Sequence, residues 1–277
     1  MADITAAAVK ALRESTGCPM MECKKALQET GGDPEASRDW LRKRGAQVGE
    51  KRADRETAFG RFGIFADVSS GVGAMVEVKC ESAPVTNNEE FVAFANGLAK
   101  QLATGPGAAT ADELLAQPNP DNTSQTLADL KDDLFNRVRE VFNVGRMIRI
   151  DSPCGAYSHN ASTVAGVLVE VDGENGEAAK DICMHIAAMR PKALSPAELD
   201  ADIVTKEKEI LTDAARQEGK PEGIIEKMVE GRMRNFYAQS VLVEQPFVKD
   251  DKVTVGQYAK DHGLEIKRFV HWELGVA

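Results

Sequence analysis

Apolar and polar positions alternate most regularly between Val72 and Cys80. Ala74, Val76, Val78 and Cys80 fall on one face and Met75, Glu77 and Lys79 on the other, the pattern of a half-buried strand. Glu81 to Asn88 breaks it. Pro84 has no N–H for a ladder and keeps the residue before it extended. Asn87 or Asn88 can cap a helix, and Glu90 stands three residues after Asn87. Phe91, Phe94, Ala95, Leu98 and Leu102 then recur at helical spacing. A rigid strand and a rigid helix should therefore present a short loop, the kind of place where binding residues gather. The plain alternative is a simple strand-to-helix connection.

Upstream, residues 1–45 read as three short helices. Thr5 can cap the first, with Ala8, Val9 and Leu12 inward and a stop before Gly17. Pro19 suits the first turn of the second, where Met20, Cys23 and Leu27 share a face and Gly31-Gly32 ends the run. Asp33-Pro34 opens the third, which carries Trp40 and Leu41 and is closed by Gly45. Residues 46–58 lack an apolar period and read as a linker. The charge of Arg42-Lys43-Arg44, Lys51-Arg52 and Arg55 is then solvation, with an RNA contact as the alternative.

From Phe59 the period becomes two. Arg61 to Val68, a turn at Ser69-Ser70-Gly71, and Val72 to Cys80 make a hairpin. Beyond the central helix, Gly105 to Gln125 is loop-like apart from a short helix at the capping box Thr110-x-x-Glu113. Leu127, Leu130, Leu134, Val138 and Val141 mark an amphipathic helix. Strands at Gly145–Ile150 and Thr163–Val171 follow, then a helix with Ala179, Ile182, Ile186 and Met189 inward, stopped by Pro191. Val76-Glu77-Val78 is echoed by Val169-Glu170-Val171, and hairpin-then-helix occurs twice, which suggests a duplicated α+β subdomain. Ser195-Pro196-Ala197-Glu198 reads as a capping box opening a helix through Ile203, Ile210, Leu211 and Ala214. Lys220-Pro221-Glu222-Gly223 turns the chain, and Ile225, Met228, Val229, Arg232 and Phe236 return as an antiparallel hairpin. Val241-Leu242-Val243 is a strand candidate, Val255 to Asp261 a short helix, and Glu265 to Leu274 a last strand.

The fold class is thus α+β. The expected domains are 1–45, a linker at 46–58, one core subdomain at 59–142, a second at 143–194 with 237–277, and a helical hairpin inserted at 195–236.

Composition narrows the function. The 277 residues are 43% apolar and 28% charged, with 34 basic against 44 acidic side chains, a net charge of −10. An acidic chain is poorly suited to non-specific nucleic-acid binding, and no direct nucleic-acid partner is expected. No run approaches the ~18 apolar residues of a membrane span. The start lacks a signal peptide's basic and apolar regions, and the five cysteines form no close metal-type cluster. Reduced thiols in a cytoplasmic protein are expected.

Candidate chemistry is sparse. There is no phosphate-cradling glycine loop, no GxSxG and no HExxH. His185, on an apolar helix face, reads as a satisfied core histidine. His159, in a loop formed by Tyr157-Ser158-His159-Asn160, is the best isolated polar candidate. Met20-Met21 opens a helix, and adjacent helical residues point ~100° apart, so one of them should be exposed and suit a partner surface. A binding protein without cofactor, metal or small-molecule substrate is favoured over an enzyme.

Several segments together resemble the elongation factor Ts family. Gly17-Cys18-Pro19-Met20-Met21-Glu22-Cys23-Lys24-Lys25-Ala26-Leu27 is similar to its N-terminal signature, and Val76 to Glu81 to the strand leading into its central motif. His185 to Pro191, Gly219-Lys220-Pro221, Glu226 to Met233 and Gln245-Pro246-Phe247-Val248 also match, so the resemblance runs from about Ile4 to Leu274. It implies a ubiquitin-associated-like three-helix domain, a two-part α+β core and an inserted helical hairpin.

It implies as well a guanine-nucleotide exchange factor that binds elongation factor Tu in its GDP form and promotes GDP release. One departure stands out. Where the family carries Thr-Asp-Phe-Val, the side chains that push into the GTPase, this chain has Ser82, Ala83, Pro84 and Val85. The alternative expectation is a divergent paralogue that binds elongation factor Tu without efficient exchange.

Overall fold

The computed structural model describes residues 4–276 apart from positions 53, 162 and 220. The chain divides into two compact units, residues 4–65, 74–149 and 274–276 in one and 66–73 with 150–273 in the other.

The first unit opens with α1 (Ala6–Thr16), α2 (Met20–Glu29) and α3 (Pro34–Glu50). The Thr5 hydroxyl accepts the Ala8 N–H at 3.2 Å, and α1 ends at Gly17 in the left-handed conformation. Pro19 sits just before α2, and Asp33 caps α3 through the N–H groups of Glu35 and Ala36. Val9, Leu12, Cys18, Cys23, Ala26, Leu27 and Leu41 form the small core of these helices. Gly45 does not close α3, which runs on into the stretch expected to be linker. A Cβ at Gly45 would lie 1.8 Å from Asn136 Oδ1, so the glycine is there for close approach.

Next come β1 (Phe59–Asp67), β2 (Val72–Cys80), α4 (Glu89–Thr104), α5 (Ala111–Leu115), β3 (Pro118–Asn119), β4 (Asn122–Thr126), α6 (Leu127–Val138) and β5 (Asn143–Ile150). The sheet order is β1-β2-β5. β2 is the middle strand, and it is buried on both faces rather than one, so that even Glu77 is 2% exposed. Arg146 of β5 balances that charge: its Nη2 donates to Glu77 Oε1 at 2.8 Å, and its backbone N and Nε donate to Oε2. The α6 helix stops before Val141, because Arg139 takes the left-handed conformation at φ 66°.

The second unit contains β6 (Cys154–Asn160), β7 (Val164–Asp172), α7 (Gly176–Met189), α8 (Ala201–Gln217), α9 (Glu222–Ser240), β8 (Pro246–Phe247), β9 (Asp250–Thr254), α10 (Val255–Asp261) and β10 (Glu265–Glu273). Its sheet order is β10-β7-β6. Val167, Val169 and Val171 of β7 pack with Ala179, Ile182 and Ile186 of α7. Met189 at the end of α7 is exposed, not inward.

Element order repeats between the units. In each, a two-residue strand and a five-residue strand precede a threonine-capped helix, and the following strand joins the sheet. Pro118 pairs with Thr126 and Asn119 with Asn122, while Pro246 pairs with Thr254 and Phe247 with Asp250. The Leu127 N–H reaches the Gln117 carbonyl at 2.9 Å, and the Val255 N–H reaches the Gln245 carbonyl at the same distance.

Helices α8 and α9 pack on each other through Ala215, Ile225, Val229 and Met233. The Ser195 box forms only a 3-10 turn at Pro196–Glu198 with no side-chain cap. Asp200 caps α8 instead. Val241 to Val243 is not a strand: Leu242–Glu244 is a 3-10 turn, and Val241 makes a single bridge to Ala193. Of the turn expected at Lys220-Pro221-Glu222-Gly223, Lys220 lies outside the described residues, Pro221 stands just before α9, and Glu222 and Gly223 belong to its first turn.

Candidate functional site: an anchored loop and an apolar helix start

The segment after β2 is an ordered knuckle. Ser82 is extended, Ala83–Asn87 forms a 3-10 turn, and Asn88 caps α4 by accepting the N–H groups of Glu90 and Phe91. Ala83 and Pro84 are exposed while Val85 is buried, so the turn plants one side chain and offers the other two to solvent.

Polar contacts hold both sides. Arg61 Nη1 donates to the Thr86 carbonyl at 2.7 Å. The Ser82 N–H donates to Glu140 Oε2 at 3.0 Å, and the Ser82 hydroxyl to Glu140 Oε1. Glu81 Oε1 accepts the Val141 N–H at 2.8 Å and its Oε2 accepts Arg55 Nη1 at 2.9 Å. Burial alone would raise the Glu81 pKa. The Val141 N–H and the Arg55 guanidinium outweigh it and hold the carboxyl below its usual range. Glu140, Arg55 and Arg61 carry no sequence pattern that marks them as loop residues. Their part is visible only once the chain is folded.

Cys80 is fully buried. Desolvation, with the charges of Glu140 and Glu81, pushes its thiol up to about 12, which suits packing and not nucleophilic attack.

At the start of α2 both methionines are exposed, Met20 by 53% and Met21 by 72%, where only one was expected. They border an open groove of about 860 Å³ with Ile4 and Val9, rimmed by Lys10, Arg13, Glu14 and Lys24. Three of the basic residues of this stretch have partners: Arg42 pairs with Asp129 at 2.8 Å, Arg55 with Glu81, and Arg52 donates to the Arg139 carbonyl at 2.8 Å, while Lys43 and Lys51 are exposed.

His159 belongs to the second unit and is not in a loop. It lies on β6, paired with Ala165 of β7, and its Nδ1 is 3.0 Å from the Tyr157 hydroxyl. The strand is polar at this end, which hid its period. His185 is buried: its Nδ1 accepts the Val248 N–H at 3.2 Å, which leaves Nε2 to donate to Gln245 Oε1 at 2.9 Å. Burial lowers its pKa, against the Gln245 contact.

Comparison with known proteins decides the family. Residues 81–276 match the family model described as elongation factor TS. The chain is 42% identical over 275 residues to the elongation factor Ts of Methylococcus capsulatus, with 98% of this chain and 92% of that protein covered. It is 39% identical to that of Hyphomonas neptunium, with 99% and 93% covered, and 42% identical to that of Ruegeria pomeroyi, with 98% and 92% covered. The chain belongs to the elongation factor Ts family. The family is one of elongation factors in protein biosynthesis, and the matched stretch begins at Glu81, the first residue of the loop. Among the described residues no helix is long and apolar enough to cross a membrane.

Proposed function

We propose that this chain is a cytoplasmic guanine-nucleotide exchange factor that binds elongation factor Tu in its GDP form and promotes GDP release during translation elongation. The observation that carries the proposal is the anchored knuckle at Ser82–Val85, the stretch that by resemblance corresponds to the family's Thr-Asp-Phe-Val motif. A segment that must displace part of another protein works best when its own shape is fixed beforehand, because less ordering entropy is lost at the displacing step. Met20 and Met21 supply apolar area for the same partner, and His159 is a further contact.

No covalent step is required. If factor and GDP weaken each other's hold on the GTPase, the effect is reciprocal, and incoming nucleotide later ejects the factor. The chain then acts as a binding protein and not an enzyme, without cofactor. Residues 1–45 serve as a ubiquitin-associated-like binding domain. The two sheet-and-helix units are a duplicated α+β core, with α8–α9 an insertion in the second copy.

The second reading is a paralogue that binds elongation factor Tu without efficient exchange. Its support is chemical: Ala83 cannot accept the hydrogen bonds of a carboxylate, and the Pro84 ring is smaller than a phenyl. Release of fluorescent GDP from the cognate GTPase, with and without this protein, separates the two. Acceleration at micromolar factor is expected. Tight binding with an unchanged release rate would leave only the second reading.

A further inference from the structure

Four residues, Arg139 to Phe142, connect α6 to β5, and they do more than join them. Arg139 sits in the left-handed conformation, with its N–H on the Phe135 carbonyl at 2.7 Å and its own carbonyl accepting Arg52 Nη1 at 2.8 Å. That fixes the direction in which the next residue leaves. Glu140 turns its carboxylate to Ser82, taking the backbone N–H on one oxygen and the hydroxyl on the other. Val141 in turn gives its N–H to Glu81. The two segments thus exchange carboxylate-to-backbone bonds in both directions, as a capping box does within one helix, but between positions 58 and 60 residues apart.

The clamp ends where the exposed part of the knuckle begins. Ser82 is the last residue it holds, and Ala83 and Pro84 come directly after. On the far side Val85 is buried and its carbonyl accepts the Asn88 N–H at 2.9 Å. Ala83 and Pro84 therefore project from a base pinned at both ends, and Glu140 accepts both of the hydrogen bonds that Ser82 donates.

We propose that Glu140 is a positioning residue for nucleotide exchange: by gripping the Ser82 N–H and hydroxyl it sets the direction of Ala83 and Pro84 against the GTPase. The inference rests on the exchange function proposed above. Hydrogen bonds to an ionised group are the strong ones, so their loss frees the knuckle without removing any apolar contact with a partner. The effect then falls on the rate at which bound factor expels GDP, not on how tightly the factor binds.

The test titrates factor against fluorescent-GDP-loaded elongation factor Tu in stopped flow, and reads the saturating release rate separately from the half-saturating concentration. Glu140→Ala should lower the saturating rate about tenfold while half-saturation moves by less than about threefold. Glu140→Gln keeps an acceptor for the Ser82 N–H and should recover part of the rate. Ser82→Ala loses only the hydroxyl bond and should fall between. The double variant Ser82→Ala with Glu140→Ala should be no slower than Glu140→Ala alone, since both break one contact. A saturating rate equal to the parent's in Glu140→Ala, or a loss confined to half-saturation, overturns the inference. If Glu140→Ala does not fold, Glu140→Gln and Ser82→Ala carry the same two readouts, and parental rates in both overturn it. If the parent itself fails to speed GDP release, the exchange reading falls first, whatever Glu140 does.

Discussion

Met21 offers the cleanest measure of what the N-terminal helices contribute. Its side chain is 72% exposed and so contributes little to the fold. Fully burying a methionine is worth about 1.5–3 kcal/mol, so covering the exposed fraction of this one gives about 1–2 kcal/mol. Met21→Ala should weaken binding to the GDP form of elongation factor Tu about five- to thirtyfold. Met21→Asp adds the cost of bringing a carboxylate into the same contact and should lose tenfold or more. Exposed positions like this one typically change stability by no more than about 0.5 kcal/mol, so the melting temperature should hold. Calorimetric titration of the two proteins reads the affinity, and thermal melting of each variant checks the fold. An affinity equal to the parent's in both variants would mean that the partner does not cover Met21, and that the groove it borders with Ile4 and Val9 is not the docking surface.

Pro84→Gly should slow GDP release markedly with little loss of affinity, because glycine returns freedom to a turn whose stiffness is the proposed working feature; equal rates would remove the knuckle from the mechanism. Replacing residues 201–239 by a short linker should leave the rest of the second unit folded by circular dichroism and melting, since the Lys192 and Leu242 N–H groups already tie the incoming and outgoing strands of chain together through Ser240 and Ala193. Loss of cooperative melting in that variant would make α8–α9 part of the core. The buried, neutral His185 has a folded pKa below its unfolded value of about 6.5, so stability should fall as pH drops below about 6.5 and level off beneath the folded pKa; His185→Gln should flatten that dependence in urea titrations. Cys80 and Cys154, both with thiols pushed up to about 12 by burial first of all, should resist an aromatic disulfide reagent in the native state and react on unfolding.

What the sequence shows, and what it hides, follows from how far apart the partners lie. The alternation from Val72 to Cys80, the caps at Thr5, Asp33 and Asn88, and the stop at Gly17 are local patterns, and each has its counterpart in the fold. A local pattern misleads where a distant residue changes its meaning. Glu77 looks like a wet-face residue until Arg146 arrives from β5. Gly45 looks like a helix stop until Asn136 is seen against it. The arginines after Gly45 look like a solvated linker until Glu81 and the Arg139 carbonyl meet them. The short strands β3 and β8 hold too few residues to show a period, and polar β6 has no apolar face to betray it.

The same distinction bears on the loop that departs from its family. If that loop acts on the GTPase as proposed, two different things must be specified: which groups make the contact, and how firmly they are held. The first is written locally, at Ala83 and Pro84. The second depends on Glu140, Glu81, Arg55, Arg61 and the buried side chain of Val85, which come from both flanks of the loop and from well outside it. Both hydrogen bonds that Ser82 donates go to one ionised carboxylate in a part-buried position, where such bonds are strong, so the backbone just before Ala83 is firmly fixed. The clamp is intelligible if the knuckle still has to push, and if stiffness of the backbone at Pro84 now does part of what a larger side chain does elsewhere in the family.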